Sequence, residues 1–105
     1  MSVLPQDPTQ AVDTLIKIVE ELTELTDKEM TAHMMKDGVT IVAVQADKEI
    51  ATSKYEAAAL EFTTRIEEFR IVDKAKLDQL DSLQRILSDR AKESMQVIKP
   101  AQQAN

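Results

Sequence analysis

The sequence predicts an all-α fold, an antiparallel three-helix bundle of long amphipathic helices with coiled-coil character. Three observations predict it. The 105-residue chain has one glycine and three prolines, so Gly38 is the single conventional breaker between Thr9 and Lys99. An all-β domain needs turn residues at short intervals, and here even asparagine occurs once, at Asn105. Apolar residues make up 43% of the chain and charged residues 30%, a mixture too apolar for disorder and typical of long helices. Finally, apolar residues recur in steps of three and four through three stretches, which is the helical period.

The first helix opens at Asp7-Pro8-Thr9-Gln10. Asp7 can accept hydrogen bonds from the free N–H groups of the first turn. Pro8 stands where a missing N–H costs nothing. Gln10 follows Asp7 by three residues, as in a capping box. The apolar stripe is Val12, Leu15, Ile16, Val19 and Leu22, flanked by Ile18 and Leu25, and it resumes at Met30 and Met34. Gly38 suits the left-handed position just past a helix end. The predicted span is residues 8–37.

Thr40 is the expected N-cap of the second helix. From there Ile41, Val44, Lys48, Ala51, Tyr55, Ala58, Phe62, Arg65 and Phe69 alternate steps of three and four without a fault. That is a heptad seam, and it predicts a helix over 40–70. A link this short forces the first two helices into an antiparallel hairpin.

A third seam reads Leu77, Leu80, Gln84, Leu87, Ala91, Ser94 and Ile98. It is one residue out of phase with the second, which demands a break or a local distortion. A break near 70–73 is expected, with Asp73 as the next cap. One continuous helix over 40–99 is the alternative. Pro100 is expected to end the third helix at Lys99, leaving 100–105 as a frayed tail. The helices, 8–37, 40–70 and 73–99, would be about 45, 45 and 40 Å long at 1.5 Å per residue. Their matched lengths suit a single domain over 1–105.

Composition excludes several kinds of function. Net charge is −6, falling as −5 on residues 1–39, −2 on 40–70 and +1 on 71–105. No segment has the excess of Lys and Arg that nucleic acid or an anionic membrane surface requires. There is no cysteine, hence no disulfide and no thiolate metal site. The first residues lack the pattern of a signal peptide, and no run approaches the roughly 18 apolar residues of a membrane span. The expectation is a cytoplasmic protein.

Catalytic and metal-binding patterns are also missing. His33 is the single histidine, so neither a histidine metal site nor a catalytic triad has its partners, and His33 reads as an ordinary helix residue. One glycine cannot make a phosphate loop. Glu20, Glu21, Glu24, Asp27 and Glu29 read as a solvated helix face; a carboxylate metal cage would need a second Glu/His pair. Lys48, inside the second seam, is expected to snorkel past its neighbours toward an acid of the first helix, with a buried lysine that fixes register as the alternative. Met30, Met34 and Met35 read as core filling, with an adaptable binding surface as the lesser alternative. No enzyme activity, cofactor or metal is expected.

The third helix carries additional apolar residues, Leu83, Ile86, Met95 and Val97. In a three-helix bundle each helix touches two others, so a wide stripe is normal. Near the free end, however, covering neighbours run out, and apolar groups there would mark a protein-binding patch or a dimer contact.

The order of these features resembles the FlgN-like flagellar export chaperones. The resemblance rests on the turn Lys36-Asp37-Gly38, the segment Ile41-Val42-Ala43-Val44-Gln45-Ala46-Asp47-Lys48-Glu49, and Tyr55-Glu56-Ala57-Ala58. It covers about residues 12–98. It implies a cytoplasmic type III export chaperone that binds C-terminal helical segments of hook-filament junction proteins and keeps them unassembled. By position it implies cargo contact through Leu87, Arg90, Ala91, Met95 and Ile98. The residues alone also allow a structural coiled-coil subunit that homodimerises or joins a larger assembly, pairing through the second seam.

Overall fold

The computed structural model describes residues 2–103, with side chains for residues 2–98. Three α-helices follow one another: α1 over Pro8–Met34, α2 over Gly38–Thr64 and α3 over Lys74–Gln103, with a 3₁₀ segment at Ile66–Ile71 between α2 and α3. No strand occurs among the described residues. They run up, down and up in an elongated body of 51 × 26 × 17 Å.

The architecture is a bundle, but not a symmetric one. α1 packs along both α2 and α3, whereas α2 and α3 make little direct backbone approach to each other. The expectation that each helix packs along two others therefore holds in full for α1 alone. The reason is visible in the burial pattern. α1 buries Ala11, Val12, Leu15, Ile16, Ile18, Val19, Leu22 and Ala32, a band too wide for one partner. Each fully buried Val, Leu or Ile here contributes about 1.5–3 kcal/mol. α2 buries Val44, Ala51 and Ala58, and the small alanines let it lie close to α1 while burying little area.

The start of α1 forms as its residues dictate. Asp7 accepts a hydrogen bond from Gln10 N at 2.9 Å, and Pro8 is the first helical residue. Its end departs from expectation. The helix stops at Met34, and Lys36 takes the left-handed backbone with φ 56°. Asp37 N donates to Ala32 O at 2.9 Å and Lys36 N to His33 O at 3.2 Å, the paired bonds of a Schellman motif. Gly38 has no positive φ, and a side chain there would meet nothing within 4 Å. It is the first residue of α2. Asp37, not Thr40, caps that helix, accepting from Thr40 N at 3.2 Å and from the Thr40 hydroxyl at 2.6 Å. These bonds, the hydroxyl first, hold the Asp37 carboxyl below its usual range.

The break between the second and third seams is present. α2 ends at Thr64, six residues before the expected end, yet the seam runs on into the 3₁₀ segment and Phe69 is buried. Phe62 stacks on Phe69 with centroids 4.5 Å apart, and the Arg65 guanidinium lies 5.4 Å from the Phe69 ring centre. Val72 is extended and buried, which resets the helical phase. Asp73 then caps α3 as expected, accepting from Ala75 N at 3.1 Å. α3 does not stop at Lys99. It continues through Pro100 to Gln103, because a proline this near a helix end removes one bond and affects the last turn alone. Ala104 and Asn105 of the expected tail lie outside the described residues.

The Schellman turn yields one test. Lys36→Gly relieves a side chain in the left-handed region and should stabilise by about 0.5–1 kcal/mol. Gly38→Ala should be neutral or stabilise by up to about 1 kcal/mol, since its backbone suits any residue. Urea denaturation of the two variants checks both; a marked loss for Gly38→Ala would contradict the turn geometry.

Candidate functional site

α2 is held to the rest of the chain by polar fixtures as well as by its alanine seam. At its middle, Lys48 Nζ lies 2.8 Å from Glu29 Oε1 of α1. The lysine thus reaches an acid of the first helix, as its place in the seam predicted. Glu29 itself departs from the solvated-face reading. Its side chain is 7% exposed, while Glu20, Glu21 and Glu24 are exposed as expected. At this point the acidic run turns inward to meet Lys48.

Near the C-terminal end of α2, the chain's first residues form a strap. The Glu61 carboxylate accepts from Leu4 N at 2.9 Å, from Val3 N and from the Ser2 hydroxyl. Arg65 donates to Pro5 O at 2.9 Å and Gln6 O at 2.8 Å. Leu4 is buried beneath. The Leu4 and Val3 amides, in that order, hold the Glu61 carboxyl below the usual carboxylate range.

α3 is fixed to α1 in register. Lys76 pairs with Asp13 at 2.8 Å and Arg90 with Asp27 at 3.5 Å, both across a separation of 63 residues. Both pairs are part-exposed and contribute little energy, but the constant offset shows two parallel helices in step.

Where the end of α2 and the 3₁₀ segment face the first turns of α3 lies a cleft of about 390 Å³. Phe62, Ile66, Leu77 and Leu80 give it an apolar lining, with Arg70, Asp81 and Gln84 at the margin. A single long hydrogen bond, Gln84 Nε2 to Tyr55 Oη at 3.4 Å, bridges the two helices among the described residues. It also shows which edge of α3 is turned to α2. Leu77, Gln84, Ala91 and Met95 follow one another along that edge at spacings of seven, seven and four.

The residues singled out for partner contact are divided by the structure. Leu87 and Ile98 are buried. Arg90 is exposed and paired with Asp27. Ala91 is exposed, and Met95 is 60% exposed. So Ala91 and Met95 are exposed together on the α3 edge turned to α2, about two turns or more beyond Gln84, where the cleft lining ends, whereas Leu87 and Ile98 are turned inward. The methionines of α1 also depart from expectation. Met30 is half-buried, but Met34 and Met35 are exposed because the helix ends before its core face covers them.

The sequence reading missed the outer face of α2. Val39, Val42, Ile50 and Leu60 are all exposed there. The signal was present: α2 carries apolar residues opposite its seam as well as along it, whereas a surface helix should be polar on one side. The faultless inner seam drew attention from it. His33 is half-buried, with its Nε2 enclosed and without a hydrogen-bond partner among the described residues. No group of three or more His, Cys, Asp or Glu side chains placed to hold a metal occurs among the described residues, and no described helix is long and apolar enough to cross a membrane.

Two consequences are measurable. Lys48→Ala strands the enclosed Glu29 carboxylate and should destabilise by about 1–3 kcal/mol, less than for a fully buried pair because Lys48 is part-exposed. Replacing both with Met should recover most of that loss; a double-mutant cycle in urea reads the coupling. The Glu61 and Asp37 carboxyls ionise more readily folded than unfolded, so their contribution is full above the ordinary carboxylate range and is lost as pH falls through the lowered folded values. Glu61→Gln should therefore flatten the acid limb of stability against pH, measured by denaturation midpoints.

Compared with known proteins, the chain matches no family model, no curated protein and no solved structure.

Proposed function

We propose that this chain holds an α-helical segment of another protein in the cleft between α2 and α3. The observation that carries this reading is the open side of the bundle. α2 and α3 share α1 with little backbone approach to each other, and an apolar cleft lined by Phe62 of α2, Ile66 of the 3₁₀ segment and Leu77 and Leu80 of α3 opens at one end of that side. An incoming amphipathic helix lying there, with its apolar face inward, would complete a four-helix arrangement. Ala91 and Met95 would extend its footing along α3.

The resemblance to FlgN-like chaperones specifies the client. In that reading the bound segment is the C-terminal helix of a hook-filament junction protein, held in the cytoplasm and kept from assembling before export. What supports this finer assignment is the residue pattern around the turn and the first half of α2. The chain carries no catalytic step in this reading and acts by binding alone.

The two levels are separable by experiment. A peptide of the junction protein's C-terminal helix, from the same genome, should bind in a calorimetric titration. Failure to bind would remove the flagellar assignment. Ile66→Lys in the cleft lining and Met95→Lys farther along α3 alter exposed side chains and should each weaken binding about tenfold or more, with helicity unchanged. Binding of the peptide with full affinity to both variants would place the client elsewhere.

A further inference from the structure

We propose that the outer face of α2 pairs with the same face of a second copy of this chain, antiparallel, about a two-fold axis between Ile50 and Ala51. Val42, Ala43, Ala46, Ile50, Ala57 and Leu60 occupy an arc about 100° wide on α2, turned away from the seam that packs on α1. All are exposed, Ile50 and Leu60 at 71% and 69%. The stripe is close to a palindrome in size. Large residues stand at its centre and both ends, and small ones stand between.

Size symmetry alone would accept many occupants. The charges select this one. Asp47 and Lys54 lie on one edge of the stripe, seven residues and hence about two turns apart. Neither forms an ion pair among the described residues. In the antiparallel register Val42 meets Leu60 of the second copy, Ala43 meets Ala57, and Ile50 meets Ile50. The same register sets Asp47 beside Lys54 of the second copy, and the two-fold axis repeats that pair. A parallel pairing would instead carry the two copies of Asp47 and Lys54 to opposite edges of the contact and form no Asp47–Lys54 pair. Isologous contacts of this kind close on themselves and produce a dimer, not a filament.

On the other edge Glu49 lies beside the axis and faces its own copy. That repulsion tempers the contact. The strip from Val42 to Leu60 is about 27 Å long, at the small end for protein interfaces, so the dimer is a weak one with a dissociation constant on the order of 10–100 µM. The α2–α3 cleft lies on a different side of α2, so pairing leaves it open, and the proposal stands independently of any client.

Sedimentation of the full chain across a concentration series tests it. The wild type should shift from monomer to dimer as concentration rises to about 500 µM. Ile50→Lys, at an exposed position, should abolish dimer while circular dichroism stays unchanged. Asp47→Lys should weaken association about fivefold or more, and Asp47→Lys with Lys54→Asp should restore it. Glu49→Gln should tighten it. A wild type that stays monomeric throughout overturns the pairing and leaves the stripe to a different protein. Dimers insensitive to Ile50→Lys, or a charge swap that fails to restore what the single reversal lost, overturn the face or the register respectively.

Discussion

The structure depends on one surface, the broad apolar band of α1. Both other helices are built against it and barely against each other. This follows from which residues each helix offers. α1 supplies Val12, Leu15 and Val19, buried completely. α3 answers with Leu80 and Leu87, while α2 answers with Ala51 and Ala58. The leucine side carries more apolar area, the alanine side allows closer approach, and neither arrangement brings α2 onto α3.

α2 presents a particular difficulty, since it is apolar on two faces. Burial alone scarcely distinguishes its Val44–Ala51–Ala58 side from its Val42–Ile50–Leu60 side. Polar groups make the distinction. Asp37 caps its start, Lys48 meets Glu29 at its middle, and Glu61 and Arg65 engage the chain's first residues near its end. Turning the helix over would leave the Glu29 carboxylate without its cation and undo the strap. Charge and hydrogen bonding thus specify which face of α2 points inward, at positions where hydrophobicity is nearly indifferent.

Much of the fold was legible because periodicity reports burial directly. The seam from Val44 to Phe69 and the one-residue slip before Leu77 both became physical features, the second as a 3₁₀ segment with Val72 extended. Boundaries were less legible, because backbone geometry is not written in residue type alone. Gly38 stood near the turn and appeared to be its left-handed residue, but Lys36 holds that conformation and Asp37 makes the cap. The candidate surface was partly hidden for a different reason. Leu87 and Met95 both look apolar in sequence, yet helical angle buries the first against α1 and exposes the second. The cleft was not legible at all, since it arises from how the 3₁₀ segment sets the end of α2 against the start of α3.

The 63-residue offset between α1 and α3 governs how the chain can acquire this shape. The leucine-rich interface joins the segments farthest apart in sequence, while the local hairpin of α1 and α2 has the alanine-rich one. The early, nearby contacts are therefore the weak ones, and the strong ones wait on closure of a long loop, whose entropy must be met before they form. The α1–α2 hairpin has its alanine seam, the Lys48–Glu29 pair and the strap to hold it, and lacks the leucine-rich contacts that α3 brings. The last helix completes the core that the first helix lays down.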